Sequence, residues 1–151
     1  MRIEEKLTIE APAAAVWDFL TDPERVAAAL PGAEIREKVD ETTYKGGMSV
    51  RVGPLAATYK GTVSFALDKT DKSAVVHARG QAMAGMGSAE MHMTSRLREV
   101  SADRTEVGVG AELKISGVLS QFGRGMIEQV SKKIFKEFAA AMKQELEGGK
   151  T

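Results

Sequence analysis

The sequence predicts an α+β fold in which a curved, seven-stranded antiparallel sheet wraps around a long C-terminal helix. Three observations lead to this prediction. Apolar and polar residues alternate for about eighty residues from Ala33 onward, which is the period of strands with one buried face. Turn signals divide that stretch at short intervals. Apolar residues then recur every three or four positions near the C-terminus, which is the period of a helix.

The first element is a strand, and two short helices follow it. Residues 2–10 alternate between apolar and polar side chains, which predicts the strand. The run 12–20 begins with a proline, which fits the first turn of a helix. Asp22 and Pro23 are suited to the N-cap and the first position of a second helix, and the Leu-Pro-Gly sequence at 30–32 ends it.

Six further strands are expected, joined by short turns. The turn signals are Asp40-Glu41, Gly53-Pro54, Thr70-Asp71-Lys72, Gly85-Met86-Gly87 and Ser101-Ala102-Asp103. Between the first two of them, Met48 and Val50 alternate with Ser49 and Arg51. One face of the sheet is therefore apolar and the other wet, which is typical of an antiparallel sheet covered on one side.

The predicted cover is a helix from Ser120 to Glu147. The apolar stripe of this C-terminal segment consists of Leu119, Phe122, Met126, Val130, Ile134, Phe138, Met142 and Leu146. About 28 residues would form a helix of about 42 Å, which is long enough to cross the concave face of a curled sheet. Gly148-Gly149 is the expected C-terminal stop.

The composition excludes several classes of function. The 151 residues are enough for one domain with a sizeable core, and we predict a single domain over 1–151. The 21 Lys and Arg balance 21 Asp and Glu, which argues against a nucleic-acid-binding protein. There is no Cys, and hence no thiol nucleophile or Cys-ligated metal. Neither a signal peptide nor an apolar span is apparent, so we expect a cytoplasmic protein.

The alternation also predicts which side chains face the long helix. This inner face comprises Met48, Val50, Val52, Tyr59, Val63, Phe65, Ala78, Gly80, Ala82, Ala89, Met91, Met93, Val109, Ala111 and Leu113. The fifth strand presents only small residues inward, and methionine adapts to irregular apolar shapes. Both features favour a cavity between sheet and helix. The alternative is an ordinary core, in which these side chains pack against Phe122, Met126 and Val130.

Groups suited to catalysis are scarce. His77 and His92 fall on the predicted outer face without partners at metal-ligand spacing. The acidic residues Asp68, Glu90, Glu99, Glu106 and Glu112 read as outward or turn positions, so no inward carboxylate pair is proposed for acid–base chemistry. Tyr44, Tyr59 and Trp17 are the inward donors, and a tyrosine hydroxyl in a pocket usually orients a ligand. We therefore predict a binding protein with no catalytic residue, metal or cofactor.

The long helix also carries a basic face. Arg124, Lys132, Lys133 and Lys136 outnumber the neighbouring acidic residues Glu128 and Glu137. Such a face suits an acidic protein partner or an anionic membrane. The alternative is an ordinary solvated helix face.

The order of elements resembles the helix-grip fold of the START-related ligand-binding superfamily. The local motifs resemble more specifically the CoxG family, the G subunit of carbon monoxide dehydrogenase. They are Val16-Trp17-x-Phe19-Leu20-x-Asp22-Pro23-Glu24, Leu30-Pro31-Gly32, Val52-Gly53-Pro54 with Tyr59-x-Gly61, Gly85-x-Gly87, and Ser116-Gly117 with Gln121-Phe122-Gly123. The resemblance extends from Ile3 to about Leu146, and its specificity lies in the order and spacing of the motifs.

The resemblance implies a non-catalytic accessory protein of a molybdenum-containing hydroxylase of the carbon monoxide dehydrogenase type, with a role in coupling that enzyme to the membrane. It also implies an apolar, lipid-like or quinone-like ligand between sheet and helix. The implied contacts are Met48, Val50, Tyr59, Phe65, Met91, Met93, Ala111 and Leu113 from the sheet and Phe122 and Met126 from the helix, with Leu30 and Pro31 at the mouth. Val63 and Ala82 join them on the predicted inner face.

Some members of that family continue into a linker and a membrane-binding tail, whereas this sequence ends with Gly148-Gly149-Lys150-Thr151. We therefore expect at most transient, peripheral contact with the inner face of the membrane, through the mouth or the basic helix face. Two alternatives stay open. One is a polyketide cyclase-like or dehydratase-like enzyme in which Tyr44 or Tyr59 polarises a carbonyl. The other is a pure protein-interaction adaptor without a cavity.

Overall fold

The computed structural model describes residues 1–147 and has the predicted α+β architecture. The strands are β1 (Arg2–Ile9), β2 (Ala33–Asp40), β3 (Thr43–Val52), β4 (Leu55–Asp68), β5 (Ser73–Ala82), β6 (Gly87–Ser101) and β7 (Arg104–Gly117). The α-helices are α1 (Ala13–Leu20), α2 (Pro23–Ala29) and α3 (Gly123–Glu147). The predicted helix stop at Gly148-Gly149 lies outside the described residues.

All seven strands form one antiparallel sheet in the order β1-β7-β6-β5-β4-β3-β2. Strands β2 to β7 each pair with their neighbours in the chain, as short turns require. β1 instead pairs with the last strand, with Arg2 opposite Glu112 and Ile9 opposite Thr105. With α3 on the inner face, this arrangement confirms the predicted helix-grip fold.

The start of the long helix differs from the prediction. Val118–Phe122 form a 3₁₀ turn, and the α-helix begins at Gly123 rather than at Ser120. Gly123 has a φ of +79°, a backbone conformation that interrupts a right-handed helix and that glycine adopts readily. The α-helix therefore has 25 residues and a length of about 37 Å.

The short helices begin close to where the sequence predicts. The Asp22 carboxylate accepts hydrogen bonds from the backbone N–H groups of Glu24 at 3.1 Å and Arg25 at 3.3 Å, which confirms it as the N-cap of α2. Pro12 precedes α1 as its N-cap residue instead of lying in its first turn. The buried Thr105 hydroxyl donates to the Ala11 carbonyl at 2.9 Å and fixes this corner to the sheet.

Two separate cores hold α3 against the sheet. The larger core lies at the C-terminal half of the helix and contains Ile9, Ala11, Val16, Trp17, Phe19, Leu97, Val107 and Met142. The smaller one lies at the other end and contains Val52, Ala57 and Leu119, with Phe122 and Val130 packed against it. The helix is thus fixed near both of its ends.

Glycines lie side by side across the middle of the sheet. Gly46 is opposite Gly61, and Gly61 is opposite Gly80, which in turn is opposite Ala89. A Cβ atom at Gly61 would overlap the Arg79 carbonyl oxygen and the Gly80 Cα. The absence of side chains therefore lets these strands approach closely and bend where the sheet curves around the helix.

We expect Met142→Ala to lower the free energy of unfolding by about 2–5 kcal/mol, because it leaves a cavity in the larger core. Met142 is completely buried, whereas Met83 is 49% exposed. Met83→Ala is therefore the matched control and should change stability by less than about 0.5 kcal/mol. Chemical denaturation measures both values. Equal losses in the two variants would contradict the assignment of Met142 to the core that holds α3.

Candidate functional site

The inner face between the two cores consists of apolar rows that cross several strands. One row is Tyr44, Val63, Ala78, Met91 and Leu113, and each of these residues is the Cα partner of the next. The adjacent row is Phe65, Val76, Met93, Ala111 and Ile3. Since residues in one row share a face of the sheet, both rows face α3.

These rows are less buried than the cores on either side. Every residue in them is half-buried except Ala111, which is buried. In a closely packed interior, large apolar side chains such as Phe65, Met91 and Met93 would be covered by neighbours. The middle of the inner face therefore keeps contact with solvent between two well-packed ends.

The predicted orientation of β5 is confirmed by its register. Ala74, Val76, Ala78, Gly80 and Ala82 share the inner face with Phe65 and Tyr59, whereas His77, Arg79 and Gln81 are on the outer face. This strand therefore contributes little side-chain volume to the space under α3.

Two aromatic residues give the site a polar element. Tyr44 stacks on Phe65 with ring centroids 5.8 Å apart. Tyr59 is half-buried, and its burial raises the pKa of its hydroxyl. Within the described chain that hydroxyl has no hydrogen-bond partner, so it is available to a ligand. Trp17, the third predicted donor, is instead buried in the larger core.

One inward carboxylate was not predicted. Glu5 lies between Ile3 and Leu7 on the inner-facing positions of β1, and its Cα partner is Val109. Its side chain is half-buried, and residues 1–147 provide no hydrogen bond or ion pair to it. Alternation along residues 2–9 already places Glu5 on the same face as Ile3 and Leu7. The apolar neighbours on that face hid it, so Glu5 was not among the predicted inward residues.

Most of the predicted ligand contacts come together on the inner face. Met48, Val50, Tyr59, Val63, Phe65, Met91, Met93 and Leu113 are half-buried there, and Ala82 and Ala111 are buried. Phe122 packs against the smaller core. Met126 lies apart from the rows: it is 39% exposed and sits beside Gly53 at the β3–β4 turn.

The predicted mouth and docking face lie on different parts of the molecule. Leu30 and Pro31 are half-buried between α2 and β2, next to Gly32, whose carbonyl accepts from the Ser49 N–H at 2.9 Å. The predicted docking residues Arg124, Lys132, Lys133 and Lys136 are all exposed. Of these, Lys132 pairs with Glu128 at 3.6 Å.

The outer face carries both histidines, as predicted. His77 and His92 are cross-strand partners with ring centroids 5.7 Å apart. The His77 Nε2 lies 3.1 Å from the Glu90 Oε1, and this hydrogen bond lowers the pKa of the Glu90 carboxyl. Within residues 1–147, no three His, Asp or Glu side chains are grouped so as to hold a metal ion. None of the helices described there is long and apolar enough to cross a membrane.

Comparison with known proteins supports the resemblance. The sequence model of the CoxG family, the G subunit of carbon monoxide dehydrogenase, matches residues 6–147. None of the curated proteins matches the sequence significantly.

Solved structures show the same fold. A conserved protein from Geobacillus kaustophilus has a TM-score of 0.88 at 16% identity and covers 98% of this chain and 96% of its own. The Zhui aromatase/cyclase from Streptomyces sp. R1128 has a TM-score of 0.71 at 21% identity and covers 97% and 93%. A START superfamily protein from Mycobacterium smegmatis has a TM-score of 0.66 at 10% identity and covers 97% of each chain.

We expect Tyr59 to ionise at a higher pH than an exposed tyrosine, because burial disfavours the tyrosinate. Its contribution to stability is present below the unfolded pKa of about 10 and is lost as the pH rises through the folded pKa. Ultraviolet titration of the wild type and of Tyr59→Phe measures the pH at which the Tyr59 hydroxyl ionises. If the variant kept the same high-pH ionisation step, the assignment would be wrong.

Proposed function

We propose a function that starts from the family of this chain, which belongs to the CoxG family, the G subunit of carbon monoxide dehydrogenase. The protein is a non-catalytic accessory protein that binds an apolar small molecule between its sheet and α3. The observation that carries this proposal is the pair of half-buried apolar rows between two closed cores. A ligand that covers them gains about 25 cal/mol for each Å² of apolar surface removed from water.

The features of the site favour a lipid-like or quinone-like ligand. Met91, Met93 and Phe65 offer a large adaptable surface, and β5 leaves room beside them. The Tyr59 hydroxyl, which has no hydrogen-bond partner among residues 1–147, would donate to a carbonyl or other polar end of the ligand. Leu30 and Pro31 would line the entrance.

In this proposal the protein delivers its ligand to, or receives it from, a molybdenum hydroxylase of the carbon monoxide dehydrogenase type on the cytoplasmic side of the membrane. Its family membership supports the enzyme partner. Transient membrane contact is supported by the end of the molecule formed by the β3–β4 and β5–β6 turns. There Met83 and Met126 are exposed, and neither Arg51 nor Arg124 has an ion pair within the described chain. Exposed apolar side chains beside free cations suit an anionic lipid surface.

A retained molecule of a few hundred daltons is expected when the protein is purified from its own host and weighed intact by native mass spectrometry. Ala111→Phe and Ala78→Phe should abolish this extra mass, because each places a large ring in one of the apolar rows. Ala66→Phe is the matched control, because residue 66 is exposed and points outward from β4.

Circular dichroism distinguishes a filled site from an unfolded protein, and Ala78→Phe is the safer variant because Ala78 is only half-buried. A folded Ala78→Phe variant that retains the ligand would refute the proposed site. If the wild-type protein carries no ligand and does not bind added lipids or quinones, a pure protein-interaction adaptor is favoured instead.

An enzyme of the cyclase type is the second candidate. The observation that favours it is the presence of Tyr44, Tyr59 and Glu5 on one inner face of a fold shared with an aromatase/cyclase. Chromatography of the extracted molecule before and after incubation with the protein separates the two functions. Conversion that is lost in Tyr59→Phe would indicate catalysis, whereas a binder loses only about 1 kcal/mol of affinity with one hydroxyl.

For membrane contact, we expect Met83→Asp to reduce pelleting of the protein with phosphatidylglycerol vesicles, since it places a charge on the exposed end. Val100→Asp is the matched control, because Val100 is similarly exposed, at 44%, but lies beside the β6–β7 turn. An equal reduction by both variants would argue against contact through the β3–β4 and β5–β6 turns.

A further inference from the structure

A groove of about 500 Å³ lies on the outer face of the sheet, opposite the proposed ligand site. Its walls are two neighbouring rows of outward side chains on β4 to β7, which carry Lys60, Arg79 and Lys114. Its floor is the backbone between these rows, including Gly61 and Gly80. The groove is therefore separated from α3 by the thickness of the sheet.

Glycines form part of the groove floor. Gly61 and Gly80 are Cα partners on the inner-facing row, where a Cβ atom at Gly61 would overlap the neighbouring backbone. β4 and β5 therefore approach closely here, and their backbone forms the floor between the two flanking rows.

The cations of the groove form no ion pair with the described residues. Within residues 1–147, Lys60, Arg79 and Lys114 are exposed and none has a carboxylate within 4 Å, whereas on the same sheet face Arg96 pairs with Asp71 at 2.7 Å and Arg98 with Glu106 at 3.2 Å. The groove contains one lining acid, Glu90, which is the Cα partner of both Arg79 and Lys114 and offsets part of their charge. Three cations against one carboxylate leave an excess of positive charge.

The distribution of charge along the sequence strengthens this feature. The chain has no net charge, yet residues 46–66, 79–89 and 114–127 contain no Asp or Glu. Their charged residues are Arg51, Lys60, Arg79, Lys114 and Arg124. Together with Glu90 these segments form the groove and the adjoining turns, so positive charge exceeds negative charge at this end of the sheet.

Neutral hydrogen-bonding groups lie among the cations. Gln81, Ser88 and Ser116 belong to the same outward row as Lys60, and the two serine hydroxyls are 2.7 Å apart. Amide and hydroxyl donors beside Lys and Arg are suited to the several oxygen atoms of carboxylate groups.

We infer that this groove docks an acidic segment of a partner protein, whose Asp or Glu side chains enter between Lys60, Arg79 and Lys114. A flat lipid surface does not fit a recessed floor on the side of a sheet, and an apolar small molecule needs an enclosed site, which this open groove does not offer. Because the groove and the proposed ligand site are on opposite faces, the protein can hold its ligand and its partner at the same time.

Fluorescence anisotropy with a labelled hexaglutamate peptide tests this interaction on the full chain. We expect binding that weakens with added salt, and amide NMR shifts centred on residues 60–62, 79–81, 88–90 and 114–116. The triple variant Lys60→Glu, Arg79→Glu, Lys114→Glu should lose about tenfold or more in affinity. The matched control is Lys132→Glu, Lys133→Glu, Lys136→Glu on α3, which makes the same charge change and should lose less than about twofold.

Three outcomes would overturn the inference: a larger loss in the α3 variant, NMR shifts confined to α3, or groove-dependent binding to phosphatidylglycerol vesicles without binding to the peptide. Native mass spectrometry of the groove variant keeps this test independent of the proposed function. Retention of the apolar molecule by a variant that no longer binds the peptide would show that the two sites act separately.

Discussion

Packing of α3 against the sheet at both of its ends holds this fold together. At one end Met142 is completely buried among side chains from α1, β1, β6 and β7, and at the other Leu119 closes against Val52 and Ala57. With both ends of the helix secured, the middle of the interface does not have to be filled for the domain to be stable. The half-buried rows around Met91 and Met93 are the part of the interface that does not need to be closely packed.

The curvature of the sheet links its two faces. The glycine row at Gly46, Gly61 and Gly80 allows the strands to bend around the helix. On the inner side β5 presents only small side chains, and on the outer side Gly61 and Gly80 form part of the floor of a groove flanked by cations. Small side chains and glycines at adjacent positions are thus a feature of both faces of the sheet.

The succession of strands along the chain, the alternation of their faces and the cap at Asp22 could all be predicted from the sequence, because each depends on neighbours within a few residues. The pairing of β1 with β7 could not, because it joins residues about a hundred positions apart. The exposure of Met126 and the burial of Trp17 could not, since they depend on where α3 and α1 settle in three dimensions. Glu5 was predictable from alternation alone. The outer groove was not, because the depression arises from the joint register of four strands rather than from any motif.

The pairing of β1 with β7 also governs how this chain can fold. Ile9 meets Thr105 and Arg2 meets Glu112, so the first strand has no partner in the sheet until about a hundred further residues have been made. Contacts between such distant residues slow folding, because the entropy of closing a large loop is lost before the contacts form. During synthesis on the ribosome, β2 to β6 can pair as successive hairpins while β1 is still unpaired. Closure of the sheet and seating of α3 are then late, coupled events, and the apolar inner face is exposed until they occur.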